Sequence, residues 1–151
     1  MGVLFLLLLP TLAAAEIQFV EVSAQMGIDF VHENGMSAEK RLPETNGAGS
    51  AFFDWDTDGD QDLYLVNSGH MEKGRGQSWN GLYRNEGSVF KPVVGAAGAR
   101  GESYGMGVVA ADYDSDGDPD LYLTAWGPDQ LYRSDGGHFT DATKMGFKSK
   151  I

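Results

Sequence analysis

The feature that most restricts this chain is an acidic nonapeptide that occurs twice. Asp54-Trp55-Asp56-Thr57-Asp58-Gly59-Asp60-Gln61-Asp62 returns 58 residues later as Asp112-Tyr113-Asp114-Ser115-Asp116-Gly117-Asp118-Pro119-Asp120. Ten of the chain's 22 acidic side chains fall in these two windows. Carboxylates crowded into so short a segment repel one another. A loop of this composition folds comfortably only around a cation.

The spacing says which cation. D-x-D-x-D-G-x-x-D places carboxylates at positions 1, 3, 5 and 9 (Asp54, Asp56, Asp58, Asp62 and Asp112, Asp114, Asp116, Asp120). Asp60 and Asp118, at position 7, are expected to ligate through the main-chain carbonyl with their side chains free. Glycine at position 6 permits the sharp turn that wraps an ion. An all-oxygen set of this size suits calcium, one ion per loop, better than magnesium, which keeps more water. Soft metals are disfavoured because no thiolate or imidazole stands among the carboxylates. An EF-hand begins the same way but needs a bidentate Glu at position 12 and flanking helices. Position 12 is Leu65 in one copy and Leu123 in the other, and the residues around them read as strands.

The repeat extends beyond the loops. Gly47-x-Gly49 matches Gly105-x-Gly107, and Leu82-Tyr83-Arg84 matches Leu131-Tyr132-Arg133, with an insertion in the first copy between His70 and Asn80. Phe19–Gly27 is similar to Phe139–Gly146. Each copy divides into four short runs of β-branched, aromatic and Leu residues separated by Gly, Pro, Asn and Asp. In the second copy the runs are about 105–111, 120–125, 129–134 and 138–143. The expectation is an all-β chain: two four-stranded antiparallel blades of a β-propeller, and a partial propeller, with repeat 1 at about 44–98 and repeat 2 at about 102–147. A single helical turn near Ala24 is the one local exception. The G-x-G pairs are too short for a dinucleotide fingerprint and read as points of close blade packing.

The loops AFFDWDTDGDQDLYL and VAADYDSDGDPDLYL, with their G-x-G and L-Y-R flanks, resemble FG-GAP/VCBS repeats. They are most similar to the secreted branch that includes cartilage acidic protein and ASPIC/UnbV-type proteins. Phe30–Gly35, leading to Leu42-Pro43-Glu44-Thr45, is similar to the opening of that branch's propeller region. The resemblance implies calcium-binding blades of an integrin-like propeller and no catalytic residues.

Met1–Ala15 reads as a secretory signal peptide, with an apolar run at Val3–Leu9 and small residues at Ala13–Ala15, although no Lys or Arg precedes the run. No apolar run is long enough to span a membrane stably. The net charge of −11 argues against sequence-independent nucleic-acid binding. Cysteine is absent, which excludes thiolate catalysis and Cys-ligated metals. His32, His70 and His138 form no ligand pair and read as surface residues. Trp55 and Tyr113 are expected to pack between blades, whereas Trp79 and Trp126 lie near loop tips where a sugar could stack. Phe52, Leu63, Val108 and Leu121 are apolar strand positions whose partners are expected to lie partly in blades beyond these two.

The leading expectation is a secreted, extracellular or periplasmic, calcium-binding module that recognises a protein or glycan, is not an enzyme, and self-associates through open blade faces. The alternatives are a lectin, a fragment of a longer multi-blade protein with no independent function, or an accessory of a hydrolase or electron-transfer partner.

Overall fold

The computed structural model describes residues 17–71 and 78–146. The leader read at Met1–Ala15 and the centre of the insertion, 72–77, lie outside the described residues. The chain forms two four-stranded antiparallel sheets, each a meander. The first contains β1 (Ser50–Phe53), β2 (Asp62–Leu65), β3 (Gly81–Asn85) and β4 (Phe90–Pro92). The second contains β5 (Tyr104–Ala111), β6 (Asp120–Trp126), β7 (Gln130–Asp135) and β8 (His138–Asp141).

The register repeats with the sequence. Ala51 faces Tyr64 and Tyr64 faces Leu82 in the first sheet; Val109 faces Tyr122 and Tyr122 faces Leu131 in the second. Because side chains alternate along a strand, the shared register gives both sheets the same two faces. Phe53, Tyr64 and Leu82 from one face of the first sheet pack on Leu121, Leu123, Tyr132 and Phe139 from the opposite face of the second. The rings of Phe53 and Phe139 sit 6.4 Å apart and tilted by 52°. Each large apolar side chain buried here contributes about 1.5–3 kcal/mol relative to exposure. The sheets therefore stack head to tail, as successive blades.

Two details bring the sheets close. Gly49 N–H donates to Met106 O at 3.0 Å, and a Cβ on Gly49 would lie 2.9 Å from Gly107 Cα. The G-x-G pairs are points of close approach between the sheets. The turn Val94–Gly98, with left-handed φ at Gly95, Ala96 and Ala97, buries Ala96 and Ala97 and presses on β8. A Cβ at Gly98 would lie 2.3 Å from Phe139 O.

Val108 and Leu121 differ from expectation, since Leu121 is fully buried and Val108 packs on the core between the two sheets. Leu63 is buried too, and only Phe52 of that set is exposed, at 62%. The reason is register: beyond the bulge at Gly105–Gly107, Val108 pairs with Leu123 and Ala110 with Leu121, and the first sheet packs on that face.

The N-terminal segment covers part of the first sheet's outer face. Tyr83 Oη donates to Asp29 Oδ1 at 2.8 Å, the Phe30 ring lies beside Gly81 and Tyr83, and Phe90 N–H donates to Met26 O at 2.6 Å. The turn near Ala24 is present, with Met26 N–H donating to Val22 O at 2.9 Å. Its repeat-equivalent is the short helix α2 (Thr143–Gly146), which follows β8. A further helical turn, α1 (Leu42–Thr45), holds Glu44 in a buried site. Ser37 donates to the Glu44 carboxylate through both its N–H and its hydroxyl, and Arg41 through its N–H. The Ser37 bonds hold that carboxyl below the usual range.

Candidate metal loops

The two acidic loops connect β1 to β2 and β5 to β6, at the same end of both sheets. Their backbones match. Position 4 takes a positive φ in each (Thr57 58°, Ser115 63°), and so does position 6 (Gly59 96°, Gly117 101°). The glycine is needed for its φ rather than for room, because no atom lies within 4 Å of a Cβ built there. A non-glycine residue in this region costs of order 1–3 kcal/mol, so the surrounding bonds must over-determine the loop.

Those bonds are the same in both copies. Asp54 accepts from Asp58 N–H at 3.1 Å and from Gly59 N–H at 3.0 Å; Asp112 accepts from Asp116 N–H at 3.2 Å and from Gly117 N–H at 3.1 Å. Asp58 and Asp116 each accept from the N–H two residues on, at 3.0 Å. One carboxylate oxygen from each of Asp54, Asp56 and Asp58 lies within 4.8 Å of the others, and Asp112, Asp114 and Asp116 repeat the arrangement.

Asp62 and Asp120 lie outside these triads and close the loops from below. Asp62 is fully buried; its carboxylate accepts from Trp55 N–H at 2.8 Å and from Asn85 N–H at 2.7 Å. Asp120 accepts from Tyr113 N–H at 2.9 Å and from Ser134 N–H at 2.8 Å. Each ties the loop to the third strand of its sheet. A carboxylate has about four lone-pair sites, so two bonds leave acceptor capacity. Burial pushes both carboxyls up, against the two N–H bonds, with the neighbouring loop carboxylates adding to the rise. The position 7 side chains differ between copies. Asp60 makes no side-chain hydrogen bond among the described residues, whereas Asp118 Oδ2 accepts from Gly136 N–H at 2.9 Å and so is not free.

The Leu-Tyr-Arg motif is visible in the sequence, but the role of its arginine is not. Arg84 Nε lies 2.7 Å from Asp56 Oδ2, and its Nη2 lies 3.1 Å from Asp58 Oδ2. The other oxygen of Asp56, Oδ1, is buried and has no hydrogen-bond partner among the described residues. An orphaned carboxylate oxygen beside two more carboxylates is a donor set that fits a hard cation.

An FG-GAP-like repeat model matches residues 54–123, a span that takes in both loops. The chain carries an FG-GAP-like repeat. This supports the FG-GAP/VCBS repeat family, and the two stacked antiparallel sheets are consistent with partial propeller blades. No curated protein and no solved structure matched the chain.

The aromatic residues, two of them inside the loops, and the histidines are not among the converging oxygen ligands. Trp55 packs on the core, with its ring beside Gly137 of the second sheet. Tyr113, its equivalent, is 47% exposed on the open side of that sheet. Trp79 carries Arg100 over its ring at 4.8 Å, while Trp126 is exposed. His32, His70 and His138 are exposed, and His32 Nε2 pairs with Ser68 Oγ at 3.1 Å. Among the described residues no helix is long and apolar enough to cross a membrane.

Proposed function

We propose that this chain is a calcium-binding β-propeller module, exported and non-catalytic, that serves extracellular recognition or adhesion. The observation that supports it most directly is the duplicated geometry of Asp54, Asp56, Asp58 and Asp112, Asp114, Asp116: three converging carboxylates per loop, on matching backbones. These residues would hold the ion, with the main chain at Asp60 and Asp118 and the clamp carboxylates Asp62 and Asp120 completing an oxygen set. Bound calcium would neutralise the loop and cross-link it; two ions would move the formal charge from −11 to −7. Export is supported by the apolar leader at Met1–Ala15, and recognition of a protein or glycan by the resemblance to the secreted repeat proteins.

Calorimetric titration of the mature chain with calcium is expected to give a stoichiometry near two. Asp56→Ala and Asp114→Ala should each remove one site. Native-state binding at about 100 times Kd adds about 2.7 kcal/mol per site, so a chelator should lower the melting temperature. Absence of binding at millimolar calcium would reject the reading.

A further inference from the structure

The repeats place an arginine at equivalent positions of β3 and β7, and the two behave differently. Arg84 spans the first loop, bonding Asp56 and Asp58, which are two of its three converging carboxylates. Among the described residues Arg133 makes no ion pair with Asp114 or Asp116. We infer that Arg84 is the resident counter-cation of the first loop and competes there with a metal ion, a competitor that the second loop lacks. The inference rests on the calcium reading above.

The chemistry follows from the guanidinium. It is planar, permanently charged and matched to carboxylate oxygens, so it relieves the repulsion between Asp56 and Asp58 without any metal. It neutralises only part of the cluster, because Asp54 stays outside the pair and Asp56 Oδ1 keeps no partner among the described residues. A divalent ion seated among the same oxygens would lie within a few ångströms of this positive charge, and like charges so close repel. The Arg84 side chain is 44% exposed, so it has water on one side and room to withdraw. Metal binding at the first loop therefore includes breaking or sharing two charge-assisted bonds. The same residue keeps the first loop ordered when metal is scarce.

The test isolates each loop in the full mature chain. Asp114→Asn silences the second loop and Asp56→Asn the first, and calcium is titrated calorimetrically into each. In the Asp114→Asn background, Arg84→Gln is expected to tighten calcium binding about three- to tenfold, as an exposed pair and its repulsion are removed. In the Asp56→Asn background, Arg133→Gln should change affinity less than about twofold. In chelator, Arg84→Gln should melt below the wild-type chain, and saturating calcium should erase the difference. Arg84→Lys, which keeps the charge, should bind more weakly than Arg84→Gln. Unchanged or weaker binding by Arg84→Gln overturns the competition while leaving the calcium sites standing. Failure of the wild-type chain to bind at all overturns the calcium reading and this inference with it.

Discussion

At the scale of single residues, the two clamp aspartates distinguish folding work from ligand work. Asp62 and Asp120 each accept two backbone N–H bonds while buried, and burial still wins over those bonds in raising their carboxyls. Asparagine has the same shape but offers one oxygen and one NH2, which would confront a backbone N–H. Asp62→Asn and Asp120→Asn are each expected to cost about 1–3 kcal/mol in urea unfolding with chelator present. Asp60→Ala, with no side-chain bond to lose, should stay within about 0.5 kcal/mol. The pH dependence has a definite sign. The native carboxyl of Asp62 binds its proton more readily than the unfolded one, so its contribution grows as pH falls through the raised native value and is lost as pH rises through it. Glu44 and Asp58 run the other way: their depressed carboxyls contribute above the unfolded value near 4 and lose that contribution in acid. In chelator, the stability gap between the wild-type chain and Asp62→Asn should therefore widen on mild acidification, whereas calcium affinity should fall over the same interval. A gap that narrows would show that the clamp is not desolvated as described.

Elements divide into those whose residues announce them and those that depend on distant partners. The eight strands are legible because apolar alternation, β-branched residues and punctuating glycines agree locally; for β5 to β8 the expected bounds fall within one residue at all but one end. The loops are legible because Gly59 and Gly117 demand one backbone shape. The turn α1 is not, since Leu42-Pro43-Glu44-Thr45 is too short to show a period and its anchor, Ser37, lies upstream. Nor is the polar network at the other end of the sheets. There Asn80 bonds Asn67 N–H and Tyr64 Oη, Tyr64 Oη donates to Ala99 O, and Ser68 Oγ donates to Gly105 O, so the partners come from three separate stretches. Arg84 belongs to the same class: L-Y-R is visible, but its reach to Asp56 is a tertiary fact. The G-x-G pair yields a test at this scale. An Ala at Gly49 would drive its Cβ against the backbone of Gly107 and Val108, at 2.9 and 3.1 Å, and should cost about 1–3 kcal/mol in urea unfolding. At Gly107 the new Cβ meets only the Thr124 hydroxyl, a side chain that can rotate, so Gly107→Ala should be milder.

At the scale of the whole molecule, one face of the second sheet is uncovered among the described residues. Phe53, Tyr64 and Leu82 of the first sheet are buried against the second; their repeat-equivalents Ala111, Tyr122 and Leu131, with Val109 and Tyr113, line a shallow apolar cleft that opens outward. Val109 is 59% exposed and Tyr113 47% exposed. At the opposite end the N-terminal segment shields Tyr83 but leaves Phe52 exposed. Apolar surface of this kind promotes association. The surface on the second sheet has the register of a face that already docks on a sheet of the same family within this chain. A chain of residues 16–151 in calcium buffer is therefore expected to self-associate with rising concentration in light scattering or sedimentation. Val109→Lys places a charge in the centre of the cleft without touching the inter-sheet core, so it should shift the population toward monomer at unchanged circular dichroism. Phe52→Ser should act more weakly, because the N-terminal segment already covers part of that end. A wild-type chain that stays a sharp monomer across the concentration range, with Val109→Lys indistinguishable from it, would show that the exposed face needs no partner.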